Sequence, residues 1–232
     1  MRVVVTRPLD RAQATAAELR GMGHEPQLLP LSEARHLQDQ VRTALSRTYP
    51  AIAVTSAEAL RAICRFDISS HLNASLFAVG RKTAAAAGEA GFKNILVADG
   101  DGASLAALIA QHAPPEVVYF TGRPRSPTFE KALTAAGIPL TVAECYEMVP
   151  LAPSQDEILD LIKHPPGAIL FHSRETARLF FELPLITQNL TAFVPCLIAC
   201  LSARVSEIVP PALRDRVKVA ERPDEASLLA LL

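Results

Sequence analysis

The sequence predicts an α/β fold built on parallel sheets, in two cores rather than one, on three observations. Short β-branched runs alternate with helical patterns almost to the last residue, as strands buried on both faces and joined by helices do. At 232 residues the chain is long enough for two domains of ordinary size. Its second half repeats the order of motifs in its first, at a period near 115 to 123 residues.

The elements follow in order. The first strand, near 2–6, is the run Val3-Val4-Val5 ending in Thr6. Asp10 and Gln13 have capping-box spacing for the helix after it, and Gly23 sits where that helix stops. Strands near 26–31, 51–55, 75–79 and 94–98 come next, with Gly91 closing the helix before the last of them. A strand near 116–121 leads to Ser126-Pro127, which fits the N-cap and first turn of a helix ended by Gly137. A strand near 138–146 precedes Ser154 and Glu157, a second capping-box pair. Strands near 167–171, 196–200 and 216–219 and a helical pattern from Asp224 to Leu232 complete the chain.

The repeat is specific in its details. Val5-Thr6-Arg7-Pro8 returns as Phe120-Thr121-Gly122-Arg123-Pro124 with one residue inserted, and the following helix keeps Leu19/Leu133 and Gly23/Gly137. Ala51-Ile52 with Ser56, Glu58 and Arg61 returns as Ala168-Ile169 with Ser173, Glu175 and Arg178. Val97-Ala98 and Ala103-Ser104-Leu105 return as Val219-Ala220 and Ala226-Ser227-Leu228. Identities at strand ends, where core packing does not demand them, favour duplication over generic βα likeness. Two similar sheets side by side leave a cleft, and clefts between domains are where ligands bind.

Composition narrows the function. Half of the residues are apolar, a fifth are charged, and the net charge is -1, so no global field recruits nucleic acid or an anionic membrane. The longest apolar stretch, Phe193 to Leu201, is far below the ~18 residues of a membrane helix, and the chain opens directly on a strand pattern. Cys64, Cys145, Cys196 and Cys200 form no CxxC pair and read as free buried thiols of a reducing, cytoplasmic compartment.

In parallel sheets the working surface is the carboxyl end of the strands. Six such ends stand out: Thr6-Arg7-Pro8, Thr55-Ser56-Ala57, Gly80-Arg81-Lys82-Thr83, Thr121-Gly122-Arg123-Pro124-Arg125, His172-Ser173-Arg174 and Cys200-Leu201-Ser202-Ala203-Arg204. Each hydroxyl has two readings, helix cap and ligand contact. The cations are harder to read as structural, because the macrodipole disfavours Arg or Lys at a helix N-terminus unless an anion is there. Together they point to a ligand with several negative charges. His172 reads either as a satisfied or solvent-facing imidazole or as a catalytic one, and Tyr146 as a core-edge aromatic or a functional phenol. Tyr146 has Ser32 at its duplicate position, so the phenol belongs to one half only. No nucleophilic triad, paired carboxylates, complete phosphate loop or metal-ligand spacing is present.

The chain resembles the uroporphyrinogen-III synthase family. The likeness runs through Val-Val-Thr-Arg-Pro at 4–8, the Gly23 turn, Ala-Val-Thr-Ser at 53–56, Ala-Val-Gly-x-x-Thr-Ala at 78–84, Gly-Ile-Pro at 137–139 leading to Cys145-Tyr146, and the strand–Ser unit at 168–173. The resemblance implies two flavodoxin-like domains that are not the two sequence halves. One is 1–30 with 152–232, the other 35–142, and 31–34 and 143–151 form a two-stranded β connector beside a cleft. It implies closure of hydroxymethylbilane, supplied by the preceding deaminase, to uroporphyrinogen III with inversion of ring D and loss of water. No cofactor, no metal, no nucleic acid, no membrane and a monomer go with it. The bilane carries two carboxylates on every ring, which fits the cation-rich strand ends. By the same resemblance Tyr146 is the catalytic residue, and Thr6, Arg7, Thr55, Ser56, Gly80, Lys82, Thr83, Gly122, Arg123, Ser173, Arg174 and Ser202 bind substrate. Cys200-Leu201-Ser202-Ala203 stands where a second Gly-x-x-Thr belongs, with Ser202 in place of the lost hydroxyl. That departure keeps open a second reading, a weakened paralogue that binds a tetrapyrrole or acts as an interaction module.

Overall fold

A computed structural model describes residues 1–232. The chain opens with β1 (Arg2–Val5), α1 (Leu9–Gly21) and β2 (Glu25–Leu28), followed by β3 (Ser32–His36), α2 (Gln38–Leu45) and β4 (Ala51–Val54). Next come α3 (Ala57–Ile63), β5 (Ser75–Val79), α4 (Gly80–Glu89), β6 (Asn94–Ala98), α5 (Gly102–His112) and β7 (Val117–Arg123). After α6 (Thr128–Ala135) the long β8 (Leu140–Pro150) leads to α7 (Gln155–Lys163), β9 (Ala168–Phe171), α8 (Arg174–Phe181) and α9 (Pro184–Gln188). The chain closes with β10 (Leu197–Cys200), α10 (Ala203–Ser206), β11 (Val217–Val219) and α11 (Glu225–Leu229).

Two compact units result, unit 1 from Met1–Glu33 with Val149–Leu232 and unit 2 from Ala34–Met148. The unit 1 sheet has the order β11-β10-β9-β1-β2, and the second sheet β3-β8-β7-β4-β5-β6. All pairs inside the first sheet, and those from β8 to β6 in the second, are parallel. Matched by the sequence repeat, β1 corresponds to β7, β9 to β4 and β11 to β6, and the two orders then coincide strand for strand except for β3, which has no counterpart in the five-stranded sheet. The chain enters the repeated pattern at different strands, so unit 1 runs 2-1-3-4-5 in its own sequence order, the flavodoxin-like arrangement, and unit 2, numbered without β3, runs 3-2-1-4-5.

Each sheet is buried on both faces, and the period-2 alternation shows it. Val4 of β1 and Ile169 and Phe171 of β9 face one apolar cluster of unit 1 while Val3, Val5, Ala168 and Leu170 face the other. In unit 2, Ile52, Val54, Val118 and Phe120 face one side and Ala51, Ala53, Val117 and Tyr119 the other. This is why the strands read as continuous apolar runs rather than alternating ones.

Several boundaries differ from expectation for local reasons. The strand expected at 26–31 stops at Leu28, just before Pro30 fixes the backbone torsion, although Leu29 and Leu31 still donate to Val5 and Thr6 carbonyls at 3.0 and 3.2 Å. Ser32 then begins a separate strand. The strand expected at 138–146 runs on to Pro150. Asp10 is not a cap: Pro8, with φ -49°, occupies the N-cap of α1, and Asp10 lies in its first turn. Pro127 likewise takes the N-cap of α6, one residue later than expected, and Ser126 Oγ accepts from Thr128 N at 3.3 Å. Ser154 and Glu157 form the expected capping box. Cys145, Cys196 and Cys200 are buried, but Cys64, expected inside, is exposed at the end of α3. No helix is long and apolar enough to cross a membrane.

Candidate functional site

Parallel pairing lines up the carboxyl ends of β8, β7, β4 and β5 along one edge of the unit 2 sheet. Tyr146, Gly122 with Arg123, Thr55 with Ser56, and Gly80 to Thr83 therefore stand on that edge in that spatial order. The order reverses direction between β4 and β7, which is the switch point where open α/β sheets bind ligands.

Gly80 makes the turn from β5 into α4 with φ +74°, a left-handed conformation that only glycine adopts without strain. No side chain caps α4, so its first-turn N–H groups keep their affinity for an anion. Arg81 and Lys82, in that turn, are exposed and carry no ion pair, while Thr83 is buried beneath them. Ser56 is a true cap of α3, accepting from Glu58 N at 3.2 Å with its own proton still to give. Thr55 Oγ1 lies 3.0 Å from Tyr119 Oη.

Tyr146 owes its direction to an irregularity in β8. Thr121 pairs with Glu144 but Gly122 pairs with Tyr146, so Cys145 is the extra residue of a bulge. In an unbroken strand consecutive side chains point to opposite faces, yet Cys145 and Tyr146 both meet the same apolar cluster. Gly122 lies directly under the Tyr146 ring.

Carboxylates that the sequence did not reveal line the same strands. Arg123 donates to Glu147 at 2.6 Å and to Glu144 at 3.3 Å, Arg125 reaches Glu144 and Glu130 at 2.6 Å each, and Arg35 of β3 pairs with Glu147. Hydrogen bonds from Arg35 and then Arg123 hold the Glu147 carboxyl below its ordinary range. Arg123 and Arg125, expected to await an anion, thus already have two carboxylates each, in solvent-screened pairs that add little stability.

The carboxyl edge of unit 1 carries, in spatial order, Ser202, then His172 with Ser173 and Arg174, then Thr6 and Arg7. Thr6 is fully buried and donates to Leu170 O at 2.8 Å, tying β1 to β9 with no atom left for a ligand. Arg7 meets an anion supplied by the chain itself: Nη1 is 2.5 Å from Glu225 Oε2, and Thr15 Oγ1 donates to Glu225 Oε1 at 2.5 Å. His172, its side chain buried rather than solvent-facing, approaches the same carboxylate at 3.3 Å. Burial works against the Glu225 charge, but hydrogen bonds from His172 and Thr15 and the positive Arg7 outweigh it and bring the carboxyl down to about 2. Burial also holds the His172 imidazole below its ordinary value of 6.5, against the pull of Glu225.

Ser173 caps α8 by accepting from Thr176 N at 3.1 Å. Ser202 stands at the N-cap of α10 without a side-chain cap bond, and Arg174 and Arg204 are exposed and unpaired. Of the seven strand-end cations, Arg7, Arg123 and Arg125 are therefore neutralised, and Arg81, Lys82, Arg174 and Arg204 remain open. Glu225 had no signal in the sequence beyond the helix cap Asp224 next to it, because its partner is 218 residues away.

Residues 13–230 match the model of a family described as uroporphyrinogen-III synthase HemD. Two solved structures share the fold. A mutant uroporphyrinogen III synthase from the extremely thermophilic bacterium Thermus thermophilus is 22% identical over all of this chain and 97% of that one, with a TM-score of 0.60. Uroporphyrinogen-III synthetase from Helicobacter pylori 26695 is 15% identical over all of this chain and 98% of that one, with a TM-score of 0.66. No curated protein matches the chain in sequence.

Proposed function

The chain belongs to the uroporphyrinogen-III synthase family, enzymes of porphyrin biosynthesis, and on that premise we propose that it closes hydroxymethylbilane to uroporphyrinogen III, inverting ring D and releasing water. The observation that carries this reading is the placement of Tyr146 on the same sheet edge as the uncapped start of α4 with its free cations Arg81 and Lys82. A proton donor and an anion-binding end on one sheet edge, with two strands between them, suit an extended substrate that loses a hydroxyl and carries carboxylates on every ring.

In this reading Tyr146 is the catalytic residue. Its phenol gives a proton to the departing hydroxyl, which leaves as water while a pyrrole nitrogen pushes in its electron pair and forms an azafulvenium cation. The substituted carbon of ring D attacks that cation to give a spiro centre; its bond to the ring C bridging carbon then breaks and re-forms at the free α-carbon of ring D, which inverts the ring, and that carbon loses the proton that restores the phenol. The bilane cyclises unaided without inversion, so the protein's task is to hold the chain in the geometry that favours the spiro path. Lys82, Thr83, the Gly80 turn, Thr55 and Ser56 hold carboxylates on the unit 2 edge, and Arg174, Ser173 and Ser202 do so on the unit 1 edge. Thr6 and Arg7 support that edge from within, and Arg123 exchanges a glutamate partner for a substrate carboxylate.

The test is a coupled assay with porphobilinogen and its deaminase, followed by isomer analysis of the oxidised porphyrin. The type III isomer is expected. The type I isomer alone would overturn the reading and leave a tetrapyrrole-binding paralogue, the alternative that the altered 200–203 segment favours.

A further inference from the structure

We infer that Gly122 is a positioning residue for the Tyr146 phenol, holding its hydroxyl end by the close approach of a bare backbone rather than touching substrate itself; this rests on the catalytic reading of Tyr146. A Cβ built on Gly122 would stand 2.7 Å from Tyr146 Cε1 and closer still to Cζ and Cε2. Those three atoms are the phenol end of the ring, and Cζ bears the hydroxyl. The ring thus lies with its reactive end against the Gly122 Cα.

The glycine is required for space and not for torsion. Gly23, Gly80, Gly91, Gly100 and Gly137 have positive φ, and Gly122 does not. A backbone conformation open to any residue, combined with a side-chain overlap of that size, leaves the neighbouring ring as the reason for glycine.

The register of the strand pair decides which residue meets Gly122. The bulge at Cys145 brings Tyr146 opposite Gly122, and without it Gly122 would face Cys145. Cys145 Sγ donates to Thr121 O at 3.1 Å, and the next register pair, Arg123 with Glu147, is closed by an ion pair of 2.6 Å. The clashing atoms are the far end of a side chain, whereas Gly122 sits in a paired strand, so a methyl group there is expected to push the ring aside. At the phenol end a displacement near 1 Å is enough to cost proton transfer about 100-fold.

The experiment compares Gly122→Ala, Tyr146→Phe and the double variant for type III formation, with kcat and KM separated. Gly122→Ala is expected to lower kcat by about as much as Tyr146→Phe, on the order of 100-fold, with KM unmoved, and the double variant is expected to fall no further. A folded Gly122→Ala protein with intact kcat, or additive losses in the double variant, overturns the positioning role and leaves that of Tyr146 standing. An unchanged kcat in Tyr146→Phe overturns the catalytic reading and this inference with it. Where Gly122→Ala does not fold, proton NMR of the unaltered protein decides. Gly122 Hα resonances shifted upfield by the ring, and restored in Tyr146→Leu, support the contact, and unshifted ones overturn it.

Discussion

Arg7, at the carboxyl end of β1, and Glu225, in the last helix, meet at 2.5 Å across a sequence separation of 218 residues, with only 14% and 16% of their side chains exposed. They close the end of the unit 1 sheet beside His172, whose side chain is 7% exposed. A buried carboxylate with two donors and a fixed cation is a lock. Its partners are therefore structural first.

Removing the Glu225 charge is expected to destabilise the protein. Its carboxyl is brought down from an ordinary 4.5 to about 2, so the folded state favours the charged form at neutral pH. Glu225→Gln should therefore lower the denaturant midpoint, and Arg7→Ala should do the same by leaving a buried carboxylate without its cation. Urea titration followed by circular dichroism measures both. A midpoint unchanged in either variant would mean that the pair contributes nothing.

The same lock makes the protein acid-sensitive in two stages. The folded pKa of His172 is lowered below 6.5, so the unfolded chain binds its proton first and stability falls as pH drops below that value. Glu225, also depressed, contributes stability above 4.5 that is lost as pH falls toward about 2. Melting temperatures from pH 7 to pH 3 should decline in both windows, and His172→Gln should remove the upper one and alter the lower, since His172 is one of the groups that depress Glu225.

Substrate use should follow the open cations. Lys82→Ala and Arg174→Ala are expected to raise KM several-fold, with the effect shrinking at high salt, because both groups are exposed and unpaired. Arg123→Ala should have the smaller effect, since Glu144 and Glu147 already neutralise that guanidinium. Steady-state kinetics at two ionic strengths separate the cases, and equal KM values in all three would assign the free cations to plain surface charge.

One thiol of four should react in the native protein. Cys64 is exposed, whereas burial pushes the Cys145 and Cys200 thiols up to about 12 and Cys196 to about 11. Titration with a chromogenic disulfide should count one equivalent folded and four in denaturant. A faster second equivalent would show local opening of a core strand.

The elements were legible because each announces itself locally. Val3 to Val5, Ala51 to Val54 and Ala168 to Phe171 read as continuous apolar runs since both faces of each strand are covered, and Ser154 with Glu157 names its own helix start. The boundaries that moved, at Asp10, Ser126 and the 26–31 strand, did so where a proline sits within three residues and sets the backbone before any side chain can. Glu225 and Glu147 carried no local signal at all, because a salt bridge depends on which strand ends become neighbours.

By itself the sequence determined the fold class, the duplication and the strand ends where hydroxyls and cations collect, since these follow from local periodicity and from short motifs repeated in order. Only the tertiary structure decided which of those cations are free. Arg7 and Arg123 are as basic in the sequence as Lys82 and Arg174, but folding brings carboxylates to the first two and leaves the others in solvent. It also decided why residue 122 is glycine. A bulge one residue wide in β8 lays Tyr146 over it, and the space beneath a ring is a property of two strands together.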